Sequence, residues 1–100
     1  MAKLCFSIIC TSEIEEKLLD AILISFPDDV FTSMPISSHG TLPGHMSAIE
    51  QVIGRSGSVS VQVIVSAEES VALQELLKRD FIGTGLRFWA TPIAFDGEIA

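Results

Sequence analysis

The sequence predicts one α+β domain, a four-stranded antiparallel sheet with two helices packed on one face. Three observations point there. Apolar runs switch between strand and helix periods in the order β-α-β-β-α-β. One of them, Ser58 to Val65, alternates strictly, with Val59, Val61, Val63 and Val65 all on one side. The two halves also echo each other at a constant offset: Ile9 with Ile64, Glu13 with Glu68, Leu18 with Leu73, and Phe26 with Phe81.

Each element follows from its residues. LCFSIIC, residues 4–10, is short and apolar without a helical period, and reads as a buried strand. Ser12-Glu13-Ile14-Glu15 has the pattern of a capping box and predicts a helix start there. Ile14, Leu18, Ala21 and Ile22 fall on one face of that helix. Phe26-Pro27-Asp28-Asp29 ends it, because proline pushes the residue before it out of the helical region. VFTSMPIS, residues 30–37, reads as a second strand. Pro35 cannot donate to a ladder, which assigns that strand to a sheet edge. After residues 58–65, Ser66-Ala67-Glu68-Glu69 forms a second capping box, and Leu73, Leu76 and Leu77 line the helix behind it. Gly83-Thr84-Gly85 interrupts the chain, and LRFWATPI is the last strand. The tail FDGEIA is expected to be loose or docked on a neighbouring copy.

Two split βαβ halves in this order make a ferredoxin-like sandwich. Right-handed crossovers place the first and third strands in the centre and the second at an edge, in agreement with Pro35. One sheet face then carries Leu4, Phe6, Ile8, the four valines, Leu86 and Phe88, under the helices. The other carries Cys5, Ser7, Ile9, Ser58, Ser60, Gln62, Ile64, Arg87, Trp89 and Thr91, and among these Arg87 alone is charged. A solvated face would carry more Lys and Glu. Small hydroxyls, branched aliphatics and a tryptophan suit burial against sister subunits.

Composition narrows the function. One hundred residues, 48% hydrophobic and 19% charged, make one ordered domain with a thin core. A net charge of -7 and six scattered Lys and Arg exclude a basic stripe for nucleic acid. No run approaches the ~20 apolar residues of a membrane span. Cys5 and Cys10 have odd spacing and face opposite ways, so they read as free thiols in a cytoplasmic protein. The chain has no G-x-S-x-G or H-E-x-x-H, and no nucleophile, base and orienter set, so enzyme activity is not expected. A heavy-metal chaperone domain would need a second cysteine beside Cys10, where Thr11 and Ser12 stand. An acylphosphatase-like cradle would need arginine where CTSEIEE places acids.

Two glycine segments carry a family likeness. Gly40-Thr41-Leu42-Pro43-Gly44-His45 and Ile82-Gly83-Thr84-Gly85 before LRFWATPI resemble the T-loop base and the B-loop with last strand of PII-like proteins. The chain looks closest to an uncharacterised, domain-of-unknown-function branch of that family, one associated with heavy-metal efflux. The resemblance implies a homotrimeric, cytoplasmic regulatory protein that senses a small ligand at intersubunit clefts and signals to a partner through residues 38–56. The partner could be a membrane transporter. By the same resemblance Gly40, Gly44, Gly83, Gly85 and Arg87 would line the cleft. The chain departs from the PII pattern where a triphosphate is held: Leu86 stands at the B-loop lysine, Arg87 follows on the other strand face, and AFDGEIA offers no arginine pair. The cofactor is therefore left unspecified. His39 and His45, with Met34, Met46 or Cys10 as soft partners, are the candidate metal ligands of an alternative efflux-accessory role. A small enzyme of the dimeric ferredoxin-like barrel type is a further alternative. Ser47 to Glu50 reads as a short capped turn, with Ile49, Val52 and Ile53 giving it an apolar side.

Overall fold

A computed structural model describes residues 3–39 and 56–100. The order is β1 (Lys3–Thr11), α1 (Glu15–Ser25), β2 (Phe31–Ser38), β3 (Ser56–Ser66), α2 (Ala67–Asp80) and β4 (Arg87–Ile93). The four strands form one antiparallel sheet in the order β2-β3-β1-β4. The apolar strands β1 and β3 are central, and Pro35 lies on the edge strand β2, where its missing N–H breaks no inner ladder. This is the α+β ferredoxin-like sandwich expected from the sequence.

Register sets the two faces. Leu4 opposes Val65, Phe6 opposes Val63 and Ile8 opposes Val61, so the apolar residues of both central strands meet on the helix side. There they pack with Leu18 and Ile22 of α1, Leu73, Leu76 and Leu77 of α2, and Phe81. Phe6 stacks on Phe88 of β4 with ring centroids 5.6 Å apart. Cys10 belongs to this core rather than to any exposed site. Burial, and then the charge of Glu15, push its thiol up to about 11, so it stays protonated and inert near neutrality.

The two helices start differently. At α2 the expected box is complete: Ser66 Oγ accepts from Glu69 N–H at 3.1 Å, and Glu69 Oε1 accepts from Ser66 N–H at 2.9 Å. The Ser12 box is a correction. Helix α1 begins at Glu15 with Ile14 as cap residue and no side-chain capping bond. Instead Ile14 N–H donates to the Thr11 carbonyl at 3.1 Å, closing a backbone turn that places Ser12 outside the helix. The apolar residues of α1 set its position, and Ile14 and Ala21 flank the buried Leu18 and Ile22 as expected. Helix α1 ends at Ser25, with Phe26 as its cap residue immediately before Pro27. Lys17 then fastens the helices together: its Nζ donates to the Asp80 carbonyl at the end of α2 at 2.8 Å and lies 4.7 Å from the Phe81 ring centre.

Candidate functional site

The open sheet face is a set of cross-strand rows. Met34, Ser60, Ile9 and Arg87 form one row, and Thr32, Gln62, Ser7 and Trp89 the next. Cys5 stands between Ile64 and Thr91, and Thr11 and Ile36 flank Ser58. Every residue predicted for this face lies on it. Ser7 is buried in the centre, and Ser38 Oγ donates to Ser58 Oγ at 2.7 Å near the β2 edge. Trp89 keeps 48% of its surface and Met34 keeps 56%. A tryptophan on a nearly uncharged field of serines, threonine and aliphatics is a partner-binding composition.

The B-loop-like segment is wound around one carbonyl. Phe81 closes α2 by donating its N–H to the Leu77 carbonyl. The Phe81 carbonyl accepts from Thr84 Oγ1 at 2.7 Å and from Thr84 N–H at 3.3 Å, and Leu86 N–H donates back to Thr84 Oγ1 at 3.4 Å. Gly83 and Gly85 carry this turn with φ of 80° and 76°, the left-handed region that disfavours a side chain. Nothing lies within 4 Å of where a Cβ on Gly83 would stand, so the backbone there is open to an approaching group.

Beside the turn lies a groove of about 350 Å³, lined by Leu77, Lys78, Phe81, Ile82, Leu86 and Phe88. No local pattern pointed to it, because its residues come from a helix end, a turn and a strand. Strand alternation separates the predicted cleft residues here: Leu86 and Phe88 line the groove, whereas Arg87 faces the open sheet opposite Ile9. Gly40, Gly44, His45 and the Ser47–Glu50 turn lie outside the described residues. His39 is exposed, directly after β2. Among the described residues, no three His, Cys, Asp or Glu side chains come together as a metal site.

One pair was missed at the other end of the sheet. Asp29 was read only as part of a helix stop, and Glu69 only as a cap. Phe31 opposes Val63, so continuing that register brings position 29 opposite Val65, one residue before Ser66 and the start of α2. There the Asp29 carboxyl is pushed up to about 6, first by burial and then by its hydrogen bond to the Glu69 carboxylate and that group's charge. Glu69 is held below the usual range by the same bond and by the Ser66 N–H. Asp29 Oδ2 is buried with no hydrogen-bond partner, a position that disfavours a charged oxygen. Capping-box geometry combined with strand register was the signal that could have found the pair.

The DUF3240 family, described as a protein of unknown function, matches residues 1–100. No curated protein matches the chain. Among solved structures, a DUF3240 family protein from Shewanella baltica superposes with a TM-score of 0.78 at 17% identity, covering 100% of this chain and 99% of that one. CPII from Thiomonas intermedia, a nitrogen regulatory PII-like protein bound to ADP, AMP and bicarbonate, gives 0.75 at 15% identity over 99% and 98%. A protein from Thermus thermophilus described as PII-like and signalling gives 0.68 at 15% identity over 93% and 88%.

Proposed function

The chain belongs to the DUF3240 family, and on that premise we propose that it is a non-enzymatic PII-like regulator that works as a homotrimer. The observation that carries this reading is the open sheet face, where Trp89, Ile9, Ile64 and Met34 lie among serines and threonines. Burying that face against two sister copies would remove apolar area from water without stranding charges at its centre, since Arg87 and Lys3 stand at its two ends and Lys3 pairs with Asp96. Seams between subunits would then pass the Gly83–Gly85 turn, whose open backbone is the ligand-approach point, and Gly40 and Gly44 of residues 38–56 would complete the cleft.

The ligand is a small anion or a nucleotide bearing few phosphates. CPII binds ADP, AMP and bicarbonate. In this chain Leu86 turns into the groove and Arg87 away from it, which leaves few charge-assisted donors for a triphosphate. Residues 38–56 carry the output to a partner protein, a membrane transporter in the efflux reading, and the site of action is the cytoplasm. Light scattering tests the assembly, with a trimer expected and a monodisperse monomer at high concentration overturning it. Calorimetry with AMP, ADP, ATP and bicarbonate tests the ligand. Tighter binding of ATP than of AMP would contradict the argument from Leu86.

The efflux-accessory reading keeps one observation, the exposure of His39 at the end of β2, within sequence reach of His45. Zinc or copper affinity unchanged by His39→Ala with His45→Ala removes that reading.

A further inference from the structure

We propose that the outer surface of the helix layer, where the end of α1 meets the start of α2, docks a cationic amphipathic segment of a partner protein. Residues 18–24, LLDAILI, are apolar at six of seven positions. A helix that covers a sheet needs an apolar stripe along one side only. Leu18 and Ile22 fill that stripe, and Leu19 and Ala21 flank it. Leu23 and Ile24 are left over, 57% and 80% exposed.

Helix packing joins them to a second exposed pair. The Lys17 bond to the Asp80 carbonyl puts the first turn of α1 beside the last turn of α2, so the end of α1 lies beside the start of α2. The hydrogen bond between the Asp29 and Glu69 carboxyls, just past α1, agrees. Ile24 follows Lys17 by seven residues, close to two helical turns, and so shares its side of α1. It is then level with the turn of α2 that holds Val71 and Ala72, both exposed. Leu23, Ile24, Ala72 and Val71 make an apolar band across two helices whose axes lie about 10 Å apart. That width suits one helical segment laid along it.

Charge selects the occupant. Acids rim the band: Asp20 on α1, Asp28 just after it, and Glu68 and Glu75 on α2, all exposed. Residues 18–30 and 66–77 contain no Lys or Arg. Among the described residues the ion pairs are Lys3–Asp96 and Arg79–Asp80, so none of these four acids has an ion-pair partner there. The helix ends differ in the same sense. Helix α2 carries Lys78 and Arg79 in its last turn, at the negative end of its dipole, whereas α1 has no basic residue in its last turn. A partner's Lys or Arg would supply that cation while its apolar side covers Leu23, Ile24 and Val71. A second copy would bring acid to acid, given a net charge of -7, and nucleic acid or an anionic membrane would be repelled likewise. This surface lies across the sheet from the face that a trimer would bury, so the two readings stand or fall separately.

Fluorescence anisotropy with a labelled peptide tests it on the full chain. The probe is an amphipathic helix of about 14 residues, with Leu at spacings of three and four and Lys between. Binding is expected, and at least tenfold weaker binding of a scrambled peptide of the same composition. Leu23→Ser with Ile24→Ser should weaken binding at least tenfold, and Asp20→Lys at least fivefold. Glu98→Lys, the same charge change in the tail, should alter it less than twofold. Asp20→Lys against Glu98→Lys decides alone if the double variant does not fold. Absence of binding, equal affinity for the scrambled peptide, or equal losses from Asp20→Lys and Glu98→Lys overturns the proposal. Sedimentation of the chain with vesicles of phosphatidylcholine and phosphatidylglycerol also overturns it, by making the band a membrane-facing surface. Light scattering reads the remaining occupant. A mass for the Leu23→Ser, Ile24→Ser chain below that of the wild type would make the band a contact between copies and overturn the partner reading. A wild-type monomer that still binds the peptide overturns the trimer alone.

Discussion

The two faces of the sheet are built by the same strands from different residue types. On the helix side, Phe6, Ile8, Val61, Val63 and Val65 are almost completely removed from water by α1 and α2. On the open side, Cys5, Ile9, Ser60 and Ile64 are half-covered by their strand neighbours, and Trp89 and Met34 project. The first face holds the chain together whether or not copies associate. The second adds little to one copy and a great deal to an assembly, because its apolar area is buried only when another surface arrives. Residue type thus separates stability within one copy from association, strand residue by strand residue.

That contrast is sharpest when each face is altered alone. Phe6→Ala removes a buried ring and its stack on Phe88, and should cost about 3–5 kcal/mol in chemical unfolding. Trp89→Glu should leave the far-UV spectrum intact and break the trimer, read as a mass near that of one chain by light scattering. A trimer that survives Trp89→Glu would make the open face a solvated surface. The two helix starts offer a smaller version of the comparison. Ser66→Ala should cost about 1 kcal/mol, and Ser12→Ala only a few tenths, because only the first serine caps a helix. Equal losses would mean that Ser12 caps after all.

A further contrast concerns pH. In the folded chain Asp29 keeps its proton up to about 6, whereas the unfolded chain releases it near 3.8. This group's contribution to stability is therefore full below the unfolded value and is lost as pH rises through about 6. Glu69, held low, works the other way: its contribution is present above the ordinary carboxylate range and is lost as pH falls through its depressed value. Asp29→Asn keeps a donor to Glu69 and removes the titration. It should raise Tm at pH 8 by on the order of 5 °C and flatten the fall in Tm between about pH 4 and 7. A fall as steep as in the wild type would place the titrating group elsewhere.

Most of the fold was legible because it rests on period. Alternation in Ser58 to Val65 fixes which side chains of β3 face the helices, and Pro35 marks an edge through a missing N–H. Glycine marked the turn after α2 correctly, since Gly83 and Gly85 both adopt positive φ. The capping pattern succeeded at Ser66 and failed at Ser12, although the two motifs look alike. A cap needs its flanking backbone extended, as Ser66 is at ψ 168°, and the chain entering α1 closes a turn through Ile14 instead. The site was less legible. His39, Gly83 and Arg87 were named from the chain, but whether Arg87 and Gly83 address one space depends on which way β4 presents each residue.

The sequence by itself determined the element order, the central pair of strands and the two unlike faces of the sheet. These follow from local rules, a period of two or 3.6 residues and the chemistry of glycine and proline. Only the tertiary structure decided the groove between α2 and β4, the Lys17 clasp on Asp80 and Phe81, and the meeting of the Asp29 and Glu69 carboxyls. Each joins residues far apart in the chain, or the end of one element to the start of another. Such meetings are set by strand register and helix packing, which the local pattern constrains but does not spell out.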